Sequence, residues 1–247
     1  MPPIRLARRT FLRSAATAAA GIAMGSSVAL PGRPPAPRET GLSSEGLLVG
    51  KPGFQPRTAA PLPHEELPGF LSRGQLAEHH SVYLRGVEAL KAAEQALEAA
   101  DRSPGGSGAY GDLRHKQVSA ANDTLLHELY FRNLAAEKLE LPRYLKPHMR
   151  EHMGSLESWA SDFLACALTA KKWAALIYDP YDDRWHNTVM DGDLDGIWIG
   201  ANPLVVCDVA EHAYDRDYKR REDYVAKFME HVDWDEVAAR YKSVDRM

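Results

Sequence analysis

Three short segments hold the residues best suited to chemistry. In Asp208-Val-Ala-Glu-His212-Ala-Tyr214 a carboxylate and an imidazole stand four residues apart, so one helical turn can aim both at the same ion. Asp208 closes the apolar run Leu204–Val209. A carboxylate at the end of a buried strand costs free energy unless a cation meets it, which favours a ligand; a solvated strand end is the plain alternative. His127 lies among Leu125, Leu126 and Leu129, which implies a partly buried imidazole. Taken alone, it fits a satisfied core histidine as well as a ligand. His79 and His80 are adjacent, and neighbours on a helix point to different faces, so at most one of them looks inward. The two cysteines, Cys166 and Cys207, stand in no CxxC or Cys/His zinc spacing. They fit two buried reduced thiols or one disulfide.

The elements that must carry these residues follow from periodicity. Ser72 with Gln75 forms a capping box, and Leu76, Val82, Leu84, Val87, Leu90 and Ala93 mark a helix from Leu71 to about residue 100. The stretch Ser103–Gly108 breaks it, and a second helix runs from about Asp112 to Ala136. Two long helices around a short break make an antiparallel hairpin. After Pro142 the pattern is mixed. Leu156–Ala170 is an amphipathic helix, and Trp173–Tyr178, Trp185–Met190 and Leu204–Val209 are strands. Tyr218–Val232 and Asp233–Tyr241 close the chain as helices. The fold class is α+β: a helical hairpin, 68–140, then a domain over 141–247 with a three-stranded antiparallel sheet and surrounding helices.

The N-terminus belongs to neither part. Arg8-Arg9-Thr10-Phe11-Leu12 followed by a short apolar run to Leu30 reads as an export signal of the twin-arginine type over 1–29, too short and mild for a stable membrane span. It predicts a periplasmic or extracellular protein. Eight of the sixteen prolines fall between Pro31 and Pro63, so residues 30–67 read as a tether or extended arm. The formal charge of −4 becomes −8 without the four Arg of residues 1–29, which argues against nucleic acid and anionic membranes as partners.

Taken in order, Leu71-Ser72-x-x-Gln75-Leu76-x-x-His79-His80, then His127-x-x-Tyr130, then Asp208-x-x-Glu211-His212-Ala-Tyr214 resemble the iron/manganese superoxide dismutases over about Pro61 to Tyr241. The resemblance implies that His79, His127, Asp208 and His212 bind one iron or manganese ion per subunit, with a solvent molecule completing the site. Imidazole and carboxylate hold both the divalent and the trivalent ion without the zinc preference of thiolates. The implied reaction is a ping-pong dismutation of superoxide to dioxygen and hydrogen peroxide. By the same resemblance Tyr130 lines the site, and Glu211 reaches across a homodimer interface to the histidine ligand of the partner subunit.

The sequence also departs from that pattern. Ala210 replaces a tryptophan and Asp215 a tyrosine. Tyr83 and Val87 stand where a histidine and a tyrosine commonly border the substrate funnel. Asp123 stands at the helix position of a solvent-binding glutamine, Asp193 falls nearest the alternative glutamine position, and Ala170-Lys-Lys-Trp173 replaces GSGW. The ligands survive while their surroundings change, and these surroundings set potential and acidity. A second reading therefore stays open at this point: a metal-binding or scaffold protein on the same fold with little or no dismutase activity. Iron against manganese is not decided, because the discriminating glutamine is absent.

Overall fold

The computed structural model describes residues 58–196 and 198–245. The expected export signal and most of the Pro-rich arm lie outside the described residues. Two helices of equal length, α1 (Arg73–Glu98) and α2 (Ser107–Arg132), form the hairpin. Then follow α3 (Leu145–Met153), α4 (Leu156–Thr169), β1 (Trp173–Asp179), β2 (Arg184–Met190), β3 (Asn202–Asp208), α5 (Arg221–Glu230) and α6 (Trp234–Val244). The sheet is antiparallel with β1 in the middle, in the order β2-β1-β3. The expected α+β architecture, hairpin first and three-stranded sheet after it, is present.

Several boundaries differ from the sequence reading for local reasons. The glycine-rich break is shorter than expected. Pro104–Gly106 make a single 3₁₀ turn, and α2 starts at Ser107 rather than Asp112, with Gly108 in its tolerant first turn and Gly111 just beyond it. At its other end α2 stops at Arg132 rather than Ala136. Asn133 diverts the chain there: its side chain accepts from Val206 N at 2.9 Å and donates to Leu204 O at 3.3 Å, so it serves β3 instead of a further turn. Helix α3 was hidden by Pro142 and Pro147. Pro147 sits in its first turn, where a missing N–H costs nothing. Helix α5 begins at Arg221 rather than Tyr218 because the backbone at Arg220 is extended (φ −123°, ψ 128°) and cannot lie inside a helix.

The hairpin and the sheet share one core, in which Leu76, Tyr83, Leu126, Tyr130, Trp159, Phe163, Trp173, Tyr224 and Phe228 are buried together. Every residue of β1 is buried, as a central strand requires when helices cover the sheet. Register then delivers chemistry. The β1–β3 pairing sets Trp173 opposite Asp208, so the first residue of the central strand and its neighbour Lys172 arrive beside the last residue of β3. No helix among the described residues is long and apolar enough to cross a membrane.

Candidate metal centre

His79 lies in the second turn of α1, and the N-terminus of that helix is fixed from two sides. Ser72 caps it, its Oγ accepting from Gln75 N at 3.2 Å. The other half of the expected capping box is not made. Asp217 instead accepts from Ser72 N at 2.6 Å and from Ser72 Oγ at 2.8 Å. Gln75 is thereby free to reach the far end of the chain, donating to His212 O at 2.7 Å and accepting from Arg216 N at 3.0 Å. The start of α1 is thus tied to the turn that bears His212, which fixes His79 and His212 relative to one another.

The four sequence-predicted residues meet. One atom from each of His79, His127, Asp208 and His212 lies within 4.8 Å of the others. Asp208 Oδ1 accepts from Ala210 N at 2.9 Å, which turns Oδ2 toward the histidines. Oδ2 stands 3.1 Å from His79 Nε2, 3.0 Å from His212 Nε2 and 3.7 Å from His127 Nε2. His127 Nδ1 faces Asp123 O at 2.7 Å, and a carbonyl only accepts, so Nδ1 carries the proton and Nε2 keeps a free lone pair. That Nε2 is buried and has no hydrogen-bond partner among the described residues. An unpartnered imidazole nitrogen aimed at a buried carboxylate and two further imidazoles is what a small cation needs, so the residues fit a metal ion.

Electrostatics agree with a metal-ready set. Burial outweighs the neighbouring carboxylate at His79 and lowers its pKa from 6.5 to about 4, so the ring stays neutral at physiological pH. Burial alone pushes Asp208 up, but hydrogen bonds from His212 and His79 overcome it and hold the carboxyl well below the usual range. His212 is raised: burial lowers it, and the bond to Asp208 more than reverses this. The cluster thus centres on one ionised carboxylate, with His79 neutral beside it.

The surroundings mix apolar and charged groups. The Trp173 ring meets His127 edge-on at 4.9 Å, and the Tyr130 ring lies 4.7 Å from His79. Tyr224 donates to Asp208 O at 2.9 Å and shares a hydrogen bond with the Tyr130 hydroxyl at 3.1 Å. Burial pushes the Tyr130 and Tyr224 hydroxyls well above their ordinary range. On the other side Lys172 Nζ is 2.9 Å from Asp123 Oδ1 and 2.6 Å from Asp193 Oδ1, and Asp123 Oδ1 is 3.6 Å from His127 Nδ1. Desolvation lowers the Lys172 pKa, but the two carboxylates raise it further, so the amine stays charged. Val87 is buried, and the Tyr83 hydroxyl is engaged with Ala60 N at 2.7 Å and Glu128 Oε1 at 3.0 Å. Glu211 is exposed, on the 3₁₀ turn Glu211–Ala213 that also carries His212.

Sequence reasoning missed how Gln75, Trp173, Tyr224 and Lys172 act. By sequence Gln75 reads as a cap and Lys172 as a departure from the family pattern, and nothing in their local pattern names their distant partners. A second carboxylate–imidazole group, Asp179, Asp182 and His186, is partly exposed. Its atoms already have partners: Asp179 accepts from Tyr181 N and Trp198 Nε1, and His186 pairs with Asp182. Cys166 and Cys207 are both free thiols.

Residues 142–240 match the family described as iron/manganese superoxide dismutases, C-terminal domain. Among curated proteins, manganese superoxide dismutase 2 of Haloferax volcanii is 36% identical over 187 residues, 74% of this chain and 94% of the relative. Manganese superoxide dismutase 1 of Halobacterium salinarum is 32% identical over 74% of this chain and 93% of its own length. The iron superoxide dismutase of Aquifex aeolicus is 29% identical over 70% and 84%.

Proposed function

This chain belongs to the iron/manganese superoxide dismutase family, and from that premise we propose that it dismutates superoxide to dioxygen and hydrogen peroxide at an iron or manganese ion held by His79, His127, Asp208 and His212. The observation that carries the reading is the bare, buried Nε2 of His127 facing Asp208 and the other two imidazoles. A metal that alternates between its divalent and trivalent states supplies the one-electron exchange with each of two superoxide ions in turn.

The rest is the work of the chain's own residues. Asp208 contributes the single negative charge of the set and is oriented by Ala210 N. His127 is held in the Nε2-facing tautomer by Asp123 O. Tyr130, Phe131 and Trp173 wall off the buried side and exclude water. Tyr130 and Tyr224 hold their protons too tightly to release them at neutral pH, so the two protons that leave in peroxide enter from the open side. His212, 28% exposed against 1% or less for the other three side chains, marks that side.

Two finer statements belong to the same reading. The Arg8-Arg9-x-Phe11-Leu12 segment supports export in the folded, loaded state to the periplasm or beyond. The exposed Glu211, one residue from His212, supports a homodimer in which it meets the histidine of a second copy.

The test is metal analysis of the purified chain alongside superoxide consumption. One iron or manganese per chain with catalytic turnover is expected. Stoichiometric metal with negligible turnover would leave only the metal-binding scaffold reading. Export is tested by replacing Arg8 and Arg9 with Lys, which should retain the protein inside the cell. The dimer is tested by sedimentation of wild type and Glu211→Ala.

A further inference from the structure

Resting on the metal reading above, we infer that Lys172 is a positioning residue whose fixed positive charge, clamped between Asp123 and Asp193, sets the oxidation-state preference of the ion at the four-residue cluster. The clamp is half-buried. The side chains of Lys172, Asp123 and Asp193 are 24%, 15% and 18% exposed, so their charges are poorly screened.

It is also rigid, and each member is tied to an element that carries a ligand. Lys172 N donates to Met190 O at 3.2 Å and Lys172 O accepts at 2.8 Å from Val209 N, the residue after Asp208. Asp123 offers its own carbonyl to His127. Asp193 is latched to α2 by Asn122 Nδ2, donating to its carbonyl at 2.6 Å, and by Ser119 Oγ at 3.4 Å. Gly86 of α1 closes the remaining side: a Cβ there would come within 2.3 Å of Asp123 Oδ2. Charges so held cannot turn away when the ion changes valence.

The field reaches the ligands, since Asp123 Oδ1, 2.9 Å from Lys172 Nζ, lies 3.6 Å from His127 Nδ1. A fixed cation favours the divalent ion over the trivalent one, and a fixed anion does the reverse. Lys172 therefore holds the potential up against two carboxylates that pull it down.

The test compares metal-replete wild type, Lys172→Met, Asp193→Asn and the double variant by redox titration of the metal's visible absorption, with metal content measured on each. At a fixed ambient potential, Lys172→Met should shift the reduced-to-oxidised ratio toward the oxidised form by about tenfold. Asp193→Asn should shift it the opposite way, and the charge-balanced double variant should return near wild type. A purely structural Lys172 would leave the ratio unchanged in Lys172→Met and give no opposite shift in Asp193→Asn; either result overturns the inference. Should Lys172→Met fail to fold or load, the sign of the Asp193→Asn shift decides. A wild-type chain that binds neither iron nor manganese overturns the metal reading itself, and this inference with it.

Discussion

His127 Nε2 and Asp208 Oδ2 face each other at 3.7 Å, both fully buried, too far apart for a hydrogen bond and too polar to be left facing one another in a dry core. A cation bound by both atoms, as proposed above, would account for the gap. His127→Ala should therefore lower metal content by at least about tenfold, the size of effect that even outer partners of a ligand produce. Atomic absorption on the folded variant checks this. Full metal occupancy in His127→Ala would remove His127 from the ligand set.

Protonation gives an independent handle on the metal-free protein. His79 has a folded pKa of about 4 against an ordinary value of 6.5. A depressed histidine favours the fold above the unfolded value, and that contribution is lost as pH falls from 6.5 toward 4, where the unfolded chain takes up the proton first. The loss is up to about 3 kcal/mol. His212, raised by Asp208, works against it and gains as pH falls. Urea unfolding of the apo-protein at pH 7 and pH 4.5 should show lower stability at the acid end, with a smaller difference in His79→Gln. An equal difference in both proteins would deny His79 the effect.

The Gly86–Asp123 contact predicts a steric phenotype. Gly86→Ala drives a methyl group to within 2.3 Å of Asp123 Oδ2 and should cost about 1–3 kcal/mol, outweighing the helix-propensity gain. Trimming the obstacle in Gly86→Ala/Asp123→Ala should recover part of the loss in thermal unfolding. No recovery would place the strain elsewhere.

Arg240 should matter as much as any core residue. Its guanidinium donates to Leu129 O at 2.9 Å, Leu204 O at 3.0 Å and Asn133 Oδ1 at 3.0 Å, joining α6 to the end of α2 and to β3. Arg240→Met takes one donor from each of these three acceptors, which keep their bonds to Asn133 and Val206, and leaves Glu236 paired with Arg132 alone, for an expected loss of about 1–3 kcal/mol. Denaturant unfolding measures it, and a loss under about 0.5 kcal/mol would mean that water satisfies those carbonyls.

The four clustered residues were legible because three segments, each ambiguous alone, together resemble one family's ligand pattern in order and spacing. Asp208 and His212 stand four residues apart, although the strand end and 3₁₀ turn that carry them replace the helical turn expected from that spacing, and His127 stands among leucines. The hairpin and strands were legible from periodicity, which is a local property. What escaped was set by distant partners. Gln75 looked like half of a capping box until Asp217, far along the chain, took the backbone donor it would have met. Lys172 looked like a loss of glycine, and only the β1–β3 register and the loop after β2 bring it to Asp123 and Asp193. Helix α3 escaped because two prolines outweigh a short amphipathic pattern when the tolerance of a first turn is not applied.

Three of the four clustered side chains sit in sealed, regular structure, while His212 alone rides on a three-residue turn held chiefly by Gln75. For an ion held by all four, His212 is the donor whose release would disturb regular structure least. Residence time of such an ion would then depend on how firmly that turn is fastened, which gives Gln75 and Arg216, neither of them among the four, a part in how long it stays.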